Sequence, residues 1–467
     1  MLSQTITTGQ SAAKVKESKF YYDLQAFGSV LKGNLTKQED WKSGTTFINN
    51  QKTYNSYGLV TVSTDPRGKT TQYVYDAYNL YPIKVTNAKN QSTKYAYNYS
   101  SGQVTQKTDP NTRIFQYTFD GLDRLLEEKQ PDITAPSTLV TKDSYTYTDT
   151  PNALSIKKSS YLDASNSVQV YTYFDGLGRK IQERVEAEGS DFSAKDYTYN
   201  NIGQLAKESL PYFSIGSSRT SPTTDFTLYT NYTYDAMGRV VTLANAVGTT
   251  TNTYNDWKLT VTDANGKSKD LYKDAYGNLV RVDEHNASSI YSTFYNYNYL
   301  GNITKITDAL SNIRNFTYNG LGRRLTAQDL HLSSDISYGI WKYFYDNAGN
   351  LTQTTDPKSQ KINYTYDALN RVLREDYTGT TGTEVIYTYD VGTDGIGKLT
   401  SVVNSSITKT YIYNALGLLK KETGKFNSTS YVTTYNYDRQ GNQVIITNPD
   451  NSQIKYIYNS AGILDQV

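Results

Sequence analysis

Apolar and polar residues alternate with period two along most of this chain. In TKYAYN, Tyr95 and Tyr97 point one way and Lys94 and Ala96 the other, as expected for a β-strand with two different faces. Such runs are short. Each stops at a cluster of Asp, Asn, Gly or Pro and then resumes. The pattern predicts strands of about seven residues, each spanning ~24 Å, joined by tight turns at both ends.

The turns repeat. One phrase recurs: aromatic, any residue, Tyr, Asp or Asn, two residues, Gly or Asn, often Arg or Asn, then an aliphatic. Indexed by the central aromatic position, the copies fall at Tyr54, Tyr75, Tyr97, Phe119, Phe174, Tyr199, Tyr234, Lys273, Tyr297, Tyr318, Tyr345, Tyr366, Tyr389, Tyr413, Tyr437 and Tyr458. Degenerate copies are expected near Tyr145–Asp149 and at Tyr254–Asn255, for about eighteen units. The residue after the index is Asp or Asn in every copy, as at Asp76, Asp120, Asp175, Asp235, Asp346, Asp367 and Asp438. Four after the index stands Gly in eleven of sixteen copies, among them Gly178, Gly203, Gly238, Gly322, Gly349, Gly417 and Gly441. A type I turn favours Asp or Asn first, and the three-residue hairpin loop built on it ends in a left-handed residue. These residues therefore read as structural hairpin tips.

The opposite ends of the units carry similar turn chemistry, as in Asp65-Pro66-Arg67-Gly68, Asp109-Pro110-Asn111 and Asp356-Pro357-Lys358. The aromatic two before the index shares a face with it, so neighbouring hairpins would stack these rings into ladders. A sheet of some three dozen strands must twist and coil. The fold class expected is all-β, a long antiparallel hairpin array coiling into a spiral strip or hollow shell. Residues 1–50 read as an irregular lead-in, with Tyr22, Asp23 and Gly28 a worn first copy. Residues 51–467 read as the array, with a polar loop insertion near 209–230.

Composition changes the picture in one respect. Hydrophobic residues are only 37% of the chain, and Tyr (46) far exceeds Phe (13) and Trp (3). That suits a thin layer wet on at least one face and argues against a thick core. A net charge of +2 gives no reason to expect nucleic acid or an anionic membrane as partner. There is no Cys, so neither disulfides nor thiolate chemistry are available. No run approaches the ~18 apolar residues of a membrane span, and the first twenty residues lack a signal-peptide core.

YTYDALNR at Tyr364–Arg371, FDGLGRK at Phe174–Lys180, YDAMGRV at Tyr234–Val240, YNALGLL at Tyr413–Leu419 and YDNAGNL at Tyr345–Leu351 resemble the YD repeats of Rhs-type proteins. That family includes the wall of bacterial insecticidal toxin complexes, bacterial polymorphic toxins and animal teneurins. The resemblance runs from about Tyr54 to Leu464. The phrase from Tyr387 to Val402 resembles a variant with a longer tip. The resemblance implies a hollow β-shell. In toxin members this shell encloses a C-terminal cytotoxic domain; in teneurins it supports adhesion. The function expected is a non-catalytic shell segment of a secreted or cell-surface bacterial protein, either a fragment or exported by a specialised route. The expected partner is a C-terminal effector domain or further shell repeats. The alternative is a surface adhesin or carbohydrate-binding scaffold, with glycans as partner. Toxin members also cleave themselves in a core segment after the repeats. Residues 461–467 are still in repeat phase, nothing here matches that segment, and no autoproteolytic residue is carried over.

Chemistry outside the repeat is sparse. His285, in Val-Asp-Glu-His-Asn, and His331 are the two histidines, and each reads as a structural polar residue. Without Cys or paired His, no zinc site is expected. No nucleophile-elbow serine or phosphate loop is present. Asp263-Ala264-Asn265-Gly266 loosely resembles the start of a calcium loop, but its Gly comes too early and it reads as a turn. No cofactor is expected, and no enzyme. The basic residues after the tips (Arg124, Arg179, Arg239, Arg323, Arg371 and Lys398) are expected to pair with the Asp of their own or the next tip.

Overall fold

The alternation becomes an unbroken series of antiparallel strands. In the computed structural model, which describes residues 2–8, 14–151, 153–377, 379, 382–459 and 461–467, forty strands join into one sheet and two more form a terminal pair. Nearly every strand pairs with the one before and the one after it in sequence. Thr70–Tyr75, for example, lies between Val60–Thr64 and Pro82–Thr86. The only helical element among the described residues is a single 3-10 turn, Phe226–Leu228. Strands precede the array as well: Gln4–Thr8, Lys14–Tyr22, Leu35–Ser43 and Thr46–Tyr54 pair in order and feed directly into it.

Outside the two degenerate copies, the Tyr–Asp tips add one residue to one strand. At Tyr234 the register slips, so that Thr233 faces Thr242 while Tyr234 faces Val240. The same slip recurs at Tyr75, Phe119, Tyr297, Tyr366 and Tyr437. These bulges increase local twist. Repeated in phase along a ribbon, they make it coil.

The ribbon has little interior. Few large apolar side chains are buried; Ile48, Phe192, Tyr229 and Phe316 are among them. The accessible surface is 26757 Å² for 52.6 kDa, about 1.5 times that of a globular monomer of this mass. A single-layer wall produces that excess. Stability must then come from strand ladders, turn bonds and contacts between units, as in other repeat arrays.

At two places a strand holds two partners on one edge. Residues 197–199 of Asp191–Tyr199 pair with Leu205–Ser209, and residues 191–194 pair with Tyr212–Ile215. Only the first partner carries the ribbon onward, to Tyr229–Tyr234. The stretch 209–230, expected as a polar loop, thus contains an edge strand and a 3-10 turn, and its middle folds onto the sheet. Asn312–Tyr318 divides in the same way between Arg324–Gln328 and His331–Leu332.

Candidate functional site

The Asp and Gly positions of the repeat meet in one geometry. At the tip after Tyr234, the Asp235 amide donates to the Arg239 carbonyl and the Gly238 amide to the Asp235 carbonyl, both at 3.0 Å. The carboxylate accepts from the amides of Met237 and Arg239 at 2.9 Å. Asp76, Asp120, Asp175 and Asp367 bind the amides two and four residues on in the same manner. Asp346 binds the amides of Gly349 and Asn350, and Asp438 that of Asn442. Gly178, Gly203, Gly238, Gly322, Gly349, Gly417 and Gly441 all have φ between +74° and +100°. Asn79, Asp123 and Asn370 take that place at +55° to +63°. At Gly238 a side chain would be strained by the backbone alone, and its Cβ would stand 3.1 Å from Gln204 Nε2.

The basic residue after the tip links one unit to the next. Arg124, Arg179, Arg239 and Arg371 each donate Nε to the Asp of their own tip at 2.7–2.8 Å. Their guanidinium carbons lie 4.0–4.5 Å from the rings of Tyr147, Tyr199, Tyr254 and Tyr389, the index tyrosines of the following units. Arg124 also reaches Asp149, and Arg371 reaches Asp390. Arg323 instead donates to the carbonyls of Asp346 and Asn347.

A second link runs through the index hydroxyl. The ladder between Leu351–Thr355 and Lys361–Tyr366 ends at Gln353 and Asn363, so the Leu351 carbonyl lies past the last pair. The Tyr366 hydroxyl donates to it at 2.7 Å. Tyr75 does the same to Val60, Tyr234 to Leu205, Tyr297 to Leu279 and Tyr437 to Leu419. Tyr147 and Tyr254, in the two degenerate copies, bind Leu125 and Val240. This bond explains why the position favours Tyr over Phe. Tyr366→Phe is expected to cost ~1 kcal/mol, read as faster amide exchange confined to Leu351–Tyr366. A matching Phe119→Tyr should slow exchange in its own hairpin.

Contacts between remote residues show where the ribbon meets itself. The Arg67 guanidinium donates to the Asp367 carbonyl at 2.8 Å and to Asn370. Lys89 Nζ lies 3.0 Å from Asp390, and Arg113 makes a two-pronged pair with Asp394 at 2.5 and 2.9 Å. Asn111 exchanges two bonds with the backbone of Ile396. Gln130 donates to the Arg439 carbonyl, and Gln440 to the carbonyls of Lys142 and Tyr161. Partners in these bonds are 279 to 309 residues apart. One winding therefore takes roughly that length of chain. The Asp–Pro turn edge of the first winding rests on the Tyr–Asp tip edge of the second.

This seam is charged and largely shielded from water. The bonds from Arg371 are the main reason the Asp390 carboxyl stays far below the usual range. Asp367 resists ionisation through burial, yet the Arg371 bonds and backbone amides hold it low as well. Lowered carboxylates stabilise the folded form fully above roughly pH 4 and lose that contribution as pH falls through their folded values. The seam should therefore loosen in acid below about pH 4, with faster amide exchange at residues 87–91 and 390–398 before the hairpins themselves melt.

A polar clasp sits where the ribbon branches. Arg184 is fully buried. It donates to the carbonyls of Ser214, Ile215 and Gly216 at 2.6–3.2 Å and to Thr220 Oγ1 at 3.1 Å. Gln182 binds both Asp196 and the Thr220 amide. Asp196 also accepts from the Tyr212 hydroxyl and the Thr223 amide, and burial with that bond pushes Tyr212 up to about 12.

The histidines have structural partners. His285 Nε2 lies 3.2 Å from Asp270, whose carboxyl also accepts from Lys258 and Thr260. His331 is buried, 2.7 Å from the Asp329 carbonyl and stacked on Tyr338. Among the described residues no group of His, Cys, Asp or Glu is placed to hold a metal ion, and no helix is long and apolar enough to cross a membrane.

A family model described as RHS Repeat matches residues 54–92, 97–132 and 345–381. No curated protein matches the sequence. The solved TcdB2–TccC3 complex superposes with a TM-score of 0.83 at 12% identity, over 98% of this chain and 30% of that one. The same pair with Cdc42 gives 0.83 and 12%, over 97% and 32%. A Tc holotoxin pore from Photorhabdus luminescens gives 0.81 and 12%, over 97% and 32%. The chain thus spans about a third of the solved chains it matches. Tips, bulges, winding and repeat-model matches agree: the chain carries RHS repeats and has the coiled hairpin fold of these solved toxin-complex chains.

Proposed function

We propose that this chain is a non-catalytic wall segment of an exported bacterial protein, and that the wall encloses a C-terminal effector domain. The observation that carries this reading is the seam. Contacts between residues about three hundred positions apart turn a ribbon into a wall with two sides, and a wall has a use only if something is kept on one side. The matching solved assemblies pair TcdB2 with TccC3, which supports a larger shell with an effector part as the setting. The tip aspartates that could suggest hydrolysis are occupied by turn amides and arginines.

Limited proteolysis of the natural full-length polypeptide tests this. A segment beyond the repeats should resist protease while the wall is intact and be digested once acid or denaturant opens the seam. If no such segment exists, or if it is digested equally fast with the wall closed, the reading fails.

A further inference from the structure

Asn319 and Gly320 form one of two Asn–Gly pairs in the chain, the other being Asn265–Gly266. Seven tips open on Asn, at Asn55, Asn98, Asn200, Asn298, Asn319, Asn414 and Asn459, and only Asn319 is followed by Gly. That pairing is chemically labile. The amide nitrogen after an Asn can attack the side-chain carbonyl carbon, Cγ. A side chain on the attacking residue hinders the approach, and glycine has none.

In this structure both reacting groups are held. Gly320 is buried, and its amide donates across the seam to the Lys42 carbonyl at 2.9 Å. Asn319 Oδ1 accepts from the amides of Leu321 and Arg323 at 3.0 Å. The seam bond is the decisive restraint. A nitrogen committed to Lys42, with the Trp41 ring packed against its Cα, cannot turn towards Cγ without leaving the other winding.

We propose that Asn319–Gly320 is a modification site gated by the seam, protected while the windings touch and converted to isoaspartate once they part. The reaction needs only water. The Gly320 nitrogen loses its proton and bonds to Asn319 Cγ, and the side-chain nitrogen leaves as ammonia, closing a succinimide ring. Water then opens the ring. Attack at the side-chain carbonyl returns aspartate, which other tips carry in this place, as at Asp346 and Asp367. Attack at the main-chain carbonyl routes the chain through Cβ and lengthens the backbone by a carbon. The Gly322 amide closes this turn by donating to the Asn319 carbonyl at 3.0 Å, and in isoaspartate that carbonyl has become a free carboxylate. The tip then no longer presents Gly320 to Lys42, so a wall held open long enough to react stays open here. The gate works in the same way whatever the wall encloses.

Peptide mapping by mass spectrometry, with isoaspartate recognised by enzymatic methylation, tests the gate. At neutral pH in urea both Asn–Gly pairs should convert at similar rates. In the folded chain Asn319 should convert at least roughly tenfold more slowly than in urea, because reaction follows the open fraction. Arg67→Ala removes the bonds to Asn370 and Asp367 on the same edge of the second winding. Combined with Trp41→Ala it should restore most of the lost rate, with circular dichroism showing the hairpins intact; Arg67→Ala alone should restore part. The block to reclosure is tested with Asn265→Ser, which leaves Asn319 in the sole Asn–Gly pair. After conversion in urea and refolding, Trp41 emission, read with Trp257 and Trp341 replaced by Phe, should remain at longer wavelength. Asn319→Asp should refold with the emission of the unmodified chain. Equal conversion of Asn319 in folded and unfolded chains, or a rate that both seam variants leave unchanged, would overturn the gate. Native Trp41 emission in the refolded isoaspartate chain would overturn the block to reclosure.

Discussion

Arg184→Met is expected to release the segment from Leu210 to Leu228 from the sheet while leaving distant hairpins intact. Methionine keeps most of the packing volume and removes every donor. The carbonyls of Ser214, Ile215 and Gly216, which the guanidinium satisfies, would then lose that partner and turn to water as the segment opens. A fully buried charged donor serving several backbone acceptors makes the cost ~3 kcal/mol or more. Arg184→Lys should recover little of it, because one ammonium cannot span the same set of carbonyls. Units of an array contact mainly their neighbours, so the loss should stay local. Amide exchange should rise across residues 210–228, and protease should cut there first, with Leu351–Tyr366 exchanging as before. Unchanged exchange in 210–228 would mean that the segment is held by its edge pairing with Asp191–Tyr199 alone.

How much of this is legible in sequence depends on how far apart the interacting residues lie. A tip is local: Asp235, Gly238 and Arg239 bond within five residues, so turn chemistry shows directly in the letters. The ribbon follows from that phasing. The hydroxyl latch spans 14 to 29 residues, and its signal is present as a strong excess of Tyr over Phe. An amphipathic ring is sufficient reason for that excess by itself, and the carbonyl target needs knowledge of where each ladder ends. The clasp is less visible. Gln182 and Arg184 look like solvated strand positions until the polar stretch after Ser209 folds over them. The seam is not visible. Arg67, Lys89 and Arg113 are ordinary turn residues in sequence, and their partners depend on how many residues complete a winding, which accumulates from small twists at every bulge.

The seam also offers a substitution whose effect turns on that winding alone. Gly320 occupies the second position of its tip, where other tips carry Ala77, Ala236, Ala275, Ala368 and Ala415. The turn itself therefore accepts alanine, and Gly320 is not at positive φ. Its neighbour from the first winding explains the glycine. The Gly320 amide donates to the Lys42 carbonyl at 2.9 Å, and a Cβ here would stand 2.2 Å from the Trp41 ring and 2.9 Å from the Trp41 carbonyl oxygen. Gly320→Ala must push the windings apart at this point or displace Trp41, at ~1–3 kcal/mol. Gly121 holds the same turn position in the first winding. A Cβ added there would meet nothing within 4 Å, so Gly121→Ala should be neutral. With Trp257 and Trp341 replaced by Phe, Trp41 becomes the sole fluorescent indole, and its emission should shift to longer wavelength in Gly320→Ala alone. Adding Arg113→Ala, which removes the pair with Asp394, should let the opening spread and raise the radius of gyration in small-angle scattering. Identical emission and radius for the Gly320 and Gly121 variants would show that the two windings do not press on one another in solution.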